Sequence, residues 1–290
     1  MSKEKKEEII TEEESKPNKL VNTIIVFIII IFSLFMYSKY IETSFIRVKE
    51  YLISKKEIPS NFDGVNVIYI SDLLYNDIVN IDYVKDLVNR INEMKPDIIL
   101  YGGSLINSKY NLKDKESDTL ISELNKLDST IGKYYVMSDT DNDKSNDILN
   151  KSGFTLMDNT NELIYNKDNT PICLIGISSY NKGKSDLTNL NLCNGYFTIL
   201  FTHEADVIDK ILVLDNKPNM IMAGNTLGGE INVPFYGNLM KYKGSKKYYL
   251  EKYNKNNIDI FISNGIGTKE LNLRLNNIPS FSLFRLNSTN

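Results

Sequence analysis

Residues 20–37 (LVNTIIVFIIIIFSLFMY) run for eighteen positions without a charged side chain, and 24–32 are unbroken aliphatic or aromatic. As an α-helix, a run of this length extends about 27 Å, close to the hydrocarbon thickness of a bilayer. A helix that is apolar nearly all round belongs to a large buried core or to a membrane, and the position of this run between Lys19 and Lys39 argues against the core. A cleaved signal peptide needs a small-x-small site after its apolar stretch; none follows here, and the preceding segment is long and mixed in charge. The sequence therefore predicts an uncleaved single-pass membrane anchor, in contact with the lipid bilayer over residues 20–38. Lys16 and Lys19 precede the run and Lys39, Arg47 and Lys49 follow it, a nearly balanced count that gives orientation little bias. The domain beyond the anchor is expected on the extracytoplasmic side. Residues 1–19, rich in Lys and Glu, read as a polar disordered tail, and residues 39–59 as a linker.

What remains, roughly 240 residues, suffices for one large domain with a well-buried core. The net charge of −3, with lysines scattered among acids, offers no electrostatic footprint for nucleic acid. Only two cysteines occur, Cys173 and Cys193, without metal-type spacing. Two buried free thiols are the expectation, with a disulfide as the alternative.

From residue 65 onward the chain alternates short apolar runs with helical stretches, which predicts one α/β domain over residues 60–290. Residues 65–70 (VNVIYI) form a strand that stops at Ser71-Asp72. Val84, Leu87, Val88 and Ile91 share one face of a helix over 81–94, and Pro96 ends it. Further strands are expected at 97–101, 133–137, 162–165, 172–177, 196–201, 220–222, 258–262 and 280–285, with a helix over 119–127. Polar or glycine-rich turns follow several of these strands, where open α/β sheets build their sites.

Six segments, in order, carry a resemblance: 67–76 (VIYISDLLYN), 95–107 (KPDIILYGGSLIN), 133–141 (KYYVMSDTD), 201–206 (FTHEAD), 222–234 (MAGNTLGGEINVP) and 263–268 (SNGIGT). Together they resemble the calcineurin-like metallophosphoesterases, particularly the membrane-associated bacterial branch, over about residues 60–288. Arg274 and Pro279 stand where that family often has an Arg and a Pro before its last strand. The resemblance implies two mixed β-sheets packed as a sandwich and flanked by helices, here with one N-terminal transmembrane helix added. It also implies a hydrolase acting on phosphomonoesters or phosphodiesters with two divalent ions.

Most of the implied ligands are replaced. The family's Asp-x-His keeps Asp72 but has Leu74 in place of His; its Gly-Asp, whose carboxylate bridges the metals, reads Gly103-Ser104. Gly-Asn-His-Asp becomes Ser138-Asp139-Thr140-Asp141, so Thr140 stands at the general-acid position. His203, the chain's one histidine, matches the lone metal-binding His, and Gly-His-x-His becomes Gly224-Asn225-Thr226-Leu227. By the resemblance, the first metal would take Asp72, Leu74, Ser104 and Leu227, where two leucines offer no lone pair. The second would take Ser104, Asp139, His203 and Asn225, all with an oxygen or nitrogen. At most one hard divalent ion, Mg²⁺ or Mn²⁺, is thus expected as cofactor, weakly bound.

Each residue also has a plainer reading. His203 can be a satisfied core histidine, Asp72 and Asp141 can accept turn N–H groups, and Asp139 can be a loop acid. Gly228 and Gly229 suit a turn needing positive φ, and Leu74 and Leu227 can form an apolar plug. The expected function is accordingly a pseudo-phosphoesterase at the cell membrane, serving as a binding module for a protein or a lipid head group. The alternatives are a phosphoesterase using one ion and a membrane-surface structural or oligomerisation protein. Gly183-Lys184-Ser185 lacks the first glycine of a phosphate-binding loop, with Ser178 in its place, and reads as a surface turn. Ser104 lacks the Gly-x-Ser-x-Gly frame of a serine hydrolase.

Overall fold

The computed structural model describes residues 19–289. The expected polar tail lies outside them except for Lys19, which opens helix α1 (Lys19–Met36). None of the α1 side chains is buried against the domain. Short π and 3-10 turns, Tyr37–Ile41 and Glu42–Ser44, lead from it into the sheets.

Residues expected to form part of a linker instead make strand β1 (Arg47–Lys55), which pairs in parallel with β14 (Ser280–Ser288) over nine positions. Its sequence RVKEYLISK interleaves charged residues with apolar ones, and only Ile53 is fully buried. An edge strand of this kind lacks the continuous apolar run that marks the central strands. Pairing with β14 defines it. Residues ahead of 60 are therefore part of the first sheet.

The first sheet runs β1, β14, β2 (Asn66–Ile70), β3 (Ile98–Tyr101), β4 (Gly132–Tyr135), β5 (Thr155–Leu156). β14 is antiparallel to β2, while β2 through β5 are parallel. Helices α2 (Ile81–Glu93), α3 (Asp114–Leu124) and α4 (Asp143–Lys151) supply the crossovers on its outer face. α2 starts where the Asn80 side chain accepts the N–H groups of Asp82 and Tyr83.

The second sheet runs β12 (Lys252–Lys255), β13 (Ile258–Ile262), β9 (Met220–Gly224), β8 (Thr198–Glu204), β7 (Ile172–Ile177), β6 (Thr160–Ile164). Its four central strands are parallel and its two edges antiparallel. β7, β8 and β9 are buried at every position, and β7 and β9 accordingly read in the sequence as uninterrupted apolar runs.

Side-chain alternation sorts three apolar layers. Val67 and Tyr69 of β2 face inward with Phe201 of β8 and Met222 of β9, forming the core between the sheets. Ile68 and Ile70 face outward onto Leu87, Val88 and Ile91 of α2. On the far side, Ile175, Leu200 and Ile221 pack under Ile208 and Ile211 of α5 (Ile208–Leu212). The expected two-sheet sandwich with flanking helices is the fold observed.

Cys173 on β7 and Cys193, at the end of a 3-10 turn, are joined as a disulfide with their Cα atoms 5.7 Å apart. The expectation of two free thiols is overturned. A separation of twenty residues carries no signal for pairing; the packing of that turn against β7 creates it.

Candidate functional site

The parallel strands of both sheets end on one side of the sandwich, and the six turns meet there. Asp72 and Leu74 follow β2, Ser104 follows β3, and Ser138 to Asp141 follow β4. His203 lies on β8, Asn225 directly after β9, and residues 263–267 after β13. The structure thus gathers the residues picked out in the sequence, including Leu74 and Leu227.

The backbone in these turns is unusual. Asp72, Leu74, Asn225 and Leu227 have φ of 52°, 49°, 62° and 50°, in the left-handed region. For a leucine that conformation costs about 1–2 kcal/mol. By the resemblance, all four stand at ligand positions of the family's first and last motifs. Gly228 and Gly229, at 56° and 77°, continue the left-handed turn.

A register shift between Thr202 and Glu204 leaves His203 unpaired with β9, a β-bulge in the middle of the site. Bulges re-aim side chains, and here the consecutive residues His203 and Glu204 are both buried. His203 Nε2 lies 3.0 Å from Asp72 Oδ1 and 3.3 Å from Ser104 Oγ. Its Nδ1 is 3.4 Å from Glu204 Oε1, an ion-pair separation without aligned hydrogen-bond geometry. Burial alone would lower the imidazole pKa, but Asp72 and Glu204 outweigh it and raise the value to about 10. His203 is therefore a buried cation between two carboxylates.

The remaining polar atoms are largely engaged with one another. Asp72 Oδ2 accepts the Ser71 hydroxyl at 2.7 Å and the Asn225 N–H at 2.9 Å. Burial would raise the Asp72 carboxyl; His203 foremost, with Ser71 and Lys269, holds it below its ordinary value. Glu204 accepts the Ser179 hydroxyl and the Tyr180 N–H, each at 2.9 Å. Ser104 donates to Ser138 Oγ at 2.7 Å, and Ser138 donates to Asp141 Oδ2 at 2.8 Å. Asp141 also accepts the N–H groups of Leu105 and Ser138, locking the β3 and β4 turns together. The Ser104 proton is thus committed away from His203, and Ser104 is fully buried, so it is not a nucleophile.

Two side chains without a signal of their own in the sequence complete the cluster. Glu204 lies within the segment 201–206, and its role depends on the bulge. Lys269, two residues beyond the Gly265-x-Gly267 turn, places Nζ 2.9 Å from Asn225 Oδ1 and 4.9 Å from the centroid of the Tyr242 ring. Asn225 also donates to Lys243 O and Ser245 Oγ, so its amide is spoken for. An ammonium therefore occupies the Asn225 end of the site.

Leu74 and Leu227 are fully buried, yet neither joins the three apolar layers. Leu227 covers Gly265, where an added Cβ would come within 2.6 Å of its Cδ2; Leu74 covers Gly267 at 2.7 Å. Arg274, also fully buried, donates to Leu227 O at 2.8 Å and Asn264 O at 2.9 Å, and reaches Gly265 O and Gly267 O. It ties the β9 turn to the β13 turn.

The donor set does not fit the first metal position. Asp72 has both oxygens engaged, Ser104 is a hydroxyl, and the other two positions are hydrocarbon. At the second, Asp139, His203 and Glu204 bring ligand atoms within 4.8 Å of one another. Asp139 Oδ1 and His203 Nδ1 are buried there without hydrogen-bond partners among the described residues. Those three residues can hold one divalent ion, in competition with the proton on His203. Thr140 supplies no ionisable group at the general-acid position; its hydroxyl lies 2.9 Å from Ser104 Oγ.

Two mixed six-stranded sheets with helices on their outer faces, and a polar site where their strands end, are consistent with a metallophosphoesterase fold. The chain is 29% identical over 261 residues to an uncharacterized metallophosphoesterase, YkuE, of Bacillus subtilis (strain 168), covering 88% of this chain and 90% of that protein. It is 25% identical over 265 residues to an uncharacterized metallophosphoesterase of Aquifex aeolicus (strain VF5), covering 83% and 91%. No protein-family model matches the chain. These similarities support a calcineurin-like metallophosphoesterase family for the chain.

Proposed function

We propose that this protein is a membrane-anchored member of the family whose dinuclear centre has been replaced by an internal ion-pair cluster, and that it works as a binding module. The observation that carries this reading is the pair Leu74 and Leu227, buried in left-handed turns at two ligand positions. Two-metal hydrolysis needs a bridging ligand and both ions to clamp the attacking and leaving oxygens. Ser104 offers no bridging carboxylate, and His203 and Lys269 already provide the positive charge beside Asp72.

Helix α1 supports single-pass anchoring, being long and apolar enough to cross a bilayer. The Cys173–Cys193 disulfide supports an extracytoplasmic domain, since disulfides persist in oxidising compartments. The ligand of such a module is a protein or a lipid head group at the membrane surface.

The test is hydrolysis of bis(p-nitrophenyl) phosphate by the full-length protein in detergent, with and without manganese. The proposal expects no metal-dependent turnover above that of a His203→Gln variant. Manganese-dependent hydrolysis that the substitution abolishes would overturn it. That outcome would favour a second reading, a hydrolase using one ion, which the unpartnered Asp139 Oδ1 and His203 Nδ1 support.

A further inference from the structure

A cavity of about 570 Å³ opens where α1 meets the domain, lined among others by Tyr37, Glu42, Arg47, Lys49, Tyr249 and Leu250. Tyr37 is the residue directly after α1. The segment following the helix is fixed to the domain: Arg274 N–H donates to Ser38 O at 3.0 Å, and Asn277 N–H donates to Glu42 Oε1. The cavity therefore sits at a set height relative to the end of the apolar helix.

Its polar groups are built and incompletely used. Glu42 is 1% exposed, and its Oε2 has no hydrogen-bond partner among the described residues. Buried carboxylate oxygens are normally paired, so this one marks a place for a donor. The Arg47 guanidinium is exposed and makes no hydrogen bond or ion pair among the described residues. Beside it, Lys49 is bound to Glu251 at 2.9 Å.

The rim is apolar. Tyr249 and Leu250 are 43% and 55% exposed, and between β10 (Asn232–Val233) and β11 (Gly237–Asn238) the hairpin turn presents Phe235, fully open to solvent, and Tyr236, 77% exposed. Gly237 and Asn238 of the same hairpin line the cavity. Aromatic tips beside basic residues at the end of an apolar helix are the composition of a bilayer interface.

We infer that this cavity holds the head group of a membrane phospholipid carrying a primary ammonium, with the hairpin tip seated in the bilayer surface. The assignment rests on α1 spanning the bilayer, which puts the cavity in the head-group layer. Arg47 then faces the lipid phosphate, and the ammonium donates to Glu42 Oε2. A choline head group has no N–H to donate, so the site discriminates ethanolamine from choline lipids. This occupant is distinct from anything bound at the ion-pair cluster around His203.

Full-length protein is reconstituted in nanodiscs of equal phosphatidylethanolamine and phosphatidylcholine, and retained lipid is read by native mass spectrometry. Retention should favour ethanolamine by about tenfold, the value of one charge-assisted hydrogen bond. Glu42→Gln should remove that preference, and Arg47→Gln should lower retention of both lipids alike, each while leaving the protein in the nanodisc. Equal retention of both lipids by the wild-type protein would overturn the head-group assignment. Protein that floats free of vesicles on a density gradient would instead overturn the anchor on which it rests. Because the chain contains no tryptophan, Phe235→Trp gives a unique probe: quenching by brominated lipid is expected, and unquenched emission would overturn the seated hairpin.

Discussion

Asp72 Oδ1 and His203 Nε2 lie 3.0 Å apart with neither side chain exposed. Each belongs to a different sheet, so this one contact joins the carboxyl ends of β2 and β8 across the sandwich. Glu204 completes the arrangement from the next residue of the bulge. A proton on the imidazole supplies the charge that the carboxylates require.

Removing that cation should therefore be costly. His203→Gln leaves Asp72 and Glu204 buried without a counter-charge, and a loss of about 3–5 kcal/mol in unfolding free energy is expected. The double variant with Asp72→Asn should recover about 1 kcal/mol or more relative to the sum of the single changes. Urea denaturation of the full-length protein in detergent measures both. Additive losses would show that the two residues do not act as a pair.

The left-handed loops make a reverse substitution informative. Leu74→His, Leu227→His and Ser104→Asp together should confer saturable manganese binding by calorimetry. At a manganese concentration about a hundred times the dissociation constant, stability should rise by about 2.7 kcal/mol. A folded triple variant that takes up no manganese would show that these positions do not correspond to ligands.

Arg274 holds the β9 and β13 turns through four carbonyl oxygens. Arg274→Met keeps much of the buried hydrocarbon but strands those acceptors. A loss of about 3 kcal/mol or more is expected from the unpaired buried groups. A change under about 1 kcal/mol, typical of a surface site, would contradict this role.

β1 is stitched to the second sheet through carboxylates. Glu251 receives Lys49 and Tyr51, and Asp259 receives Lys55 at 3.0 Å. Burial alone would raise both carboxyls, but Tyr51 and Lys49 outweigh it at Glu251, as Lys55 and Asn254 do at Asp259. Both folded values thus lie below the ordinary 4.5 and 3.8. Depressed carboxyls contribute stability that is present above those ordinary values and lost as pH falls through the folded ones. Acidification below about pH 4 should lower hydrogen-exchange protection in β1 before β7. Simultaneous loss in the two strands would contradict it.

Much of this architecture was legible because β2, β3, β7 and β9 are largely apolar runs that end at polar turns. The order of those turns gave the family and placed Asp72, Ser104, Asp139, His203 and Asn225 together. β1 was hidden because an edge strand with one fully buried residue has no strong pattern. Glu204 was missed because consecutive residues normally point to opposite faces of a sheet, and only a bulge turns both inward. Lys269 acts through the reach of its side chain from a turn, which spacing does not reveal. The Cys173–Cys193 bond likewise depends on how one short turn packs.

Metal content is the most direct measure of whether the dinuclear centre is gone. Untagged full-length protein in detergent, equilibrated with manganese and desalted, would be analysed by inductively coupled plasma mass spectrometry. One ion or fewer per chain is predicted, because among the described residues only Asp139, His203 and Glu204 bring ligand atoms together. Two ions per chain, held between Asp72 and His203, would contradict the account.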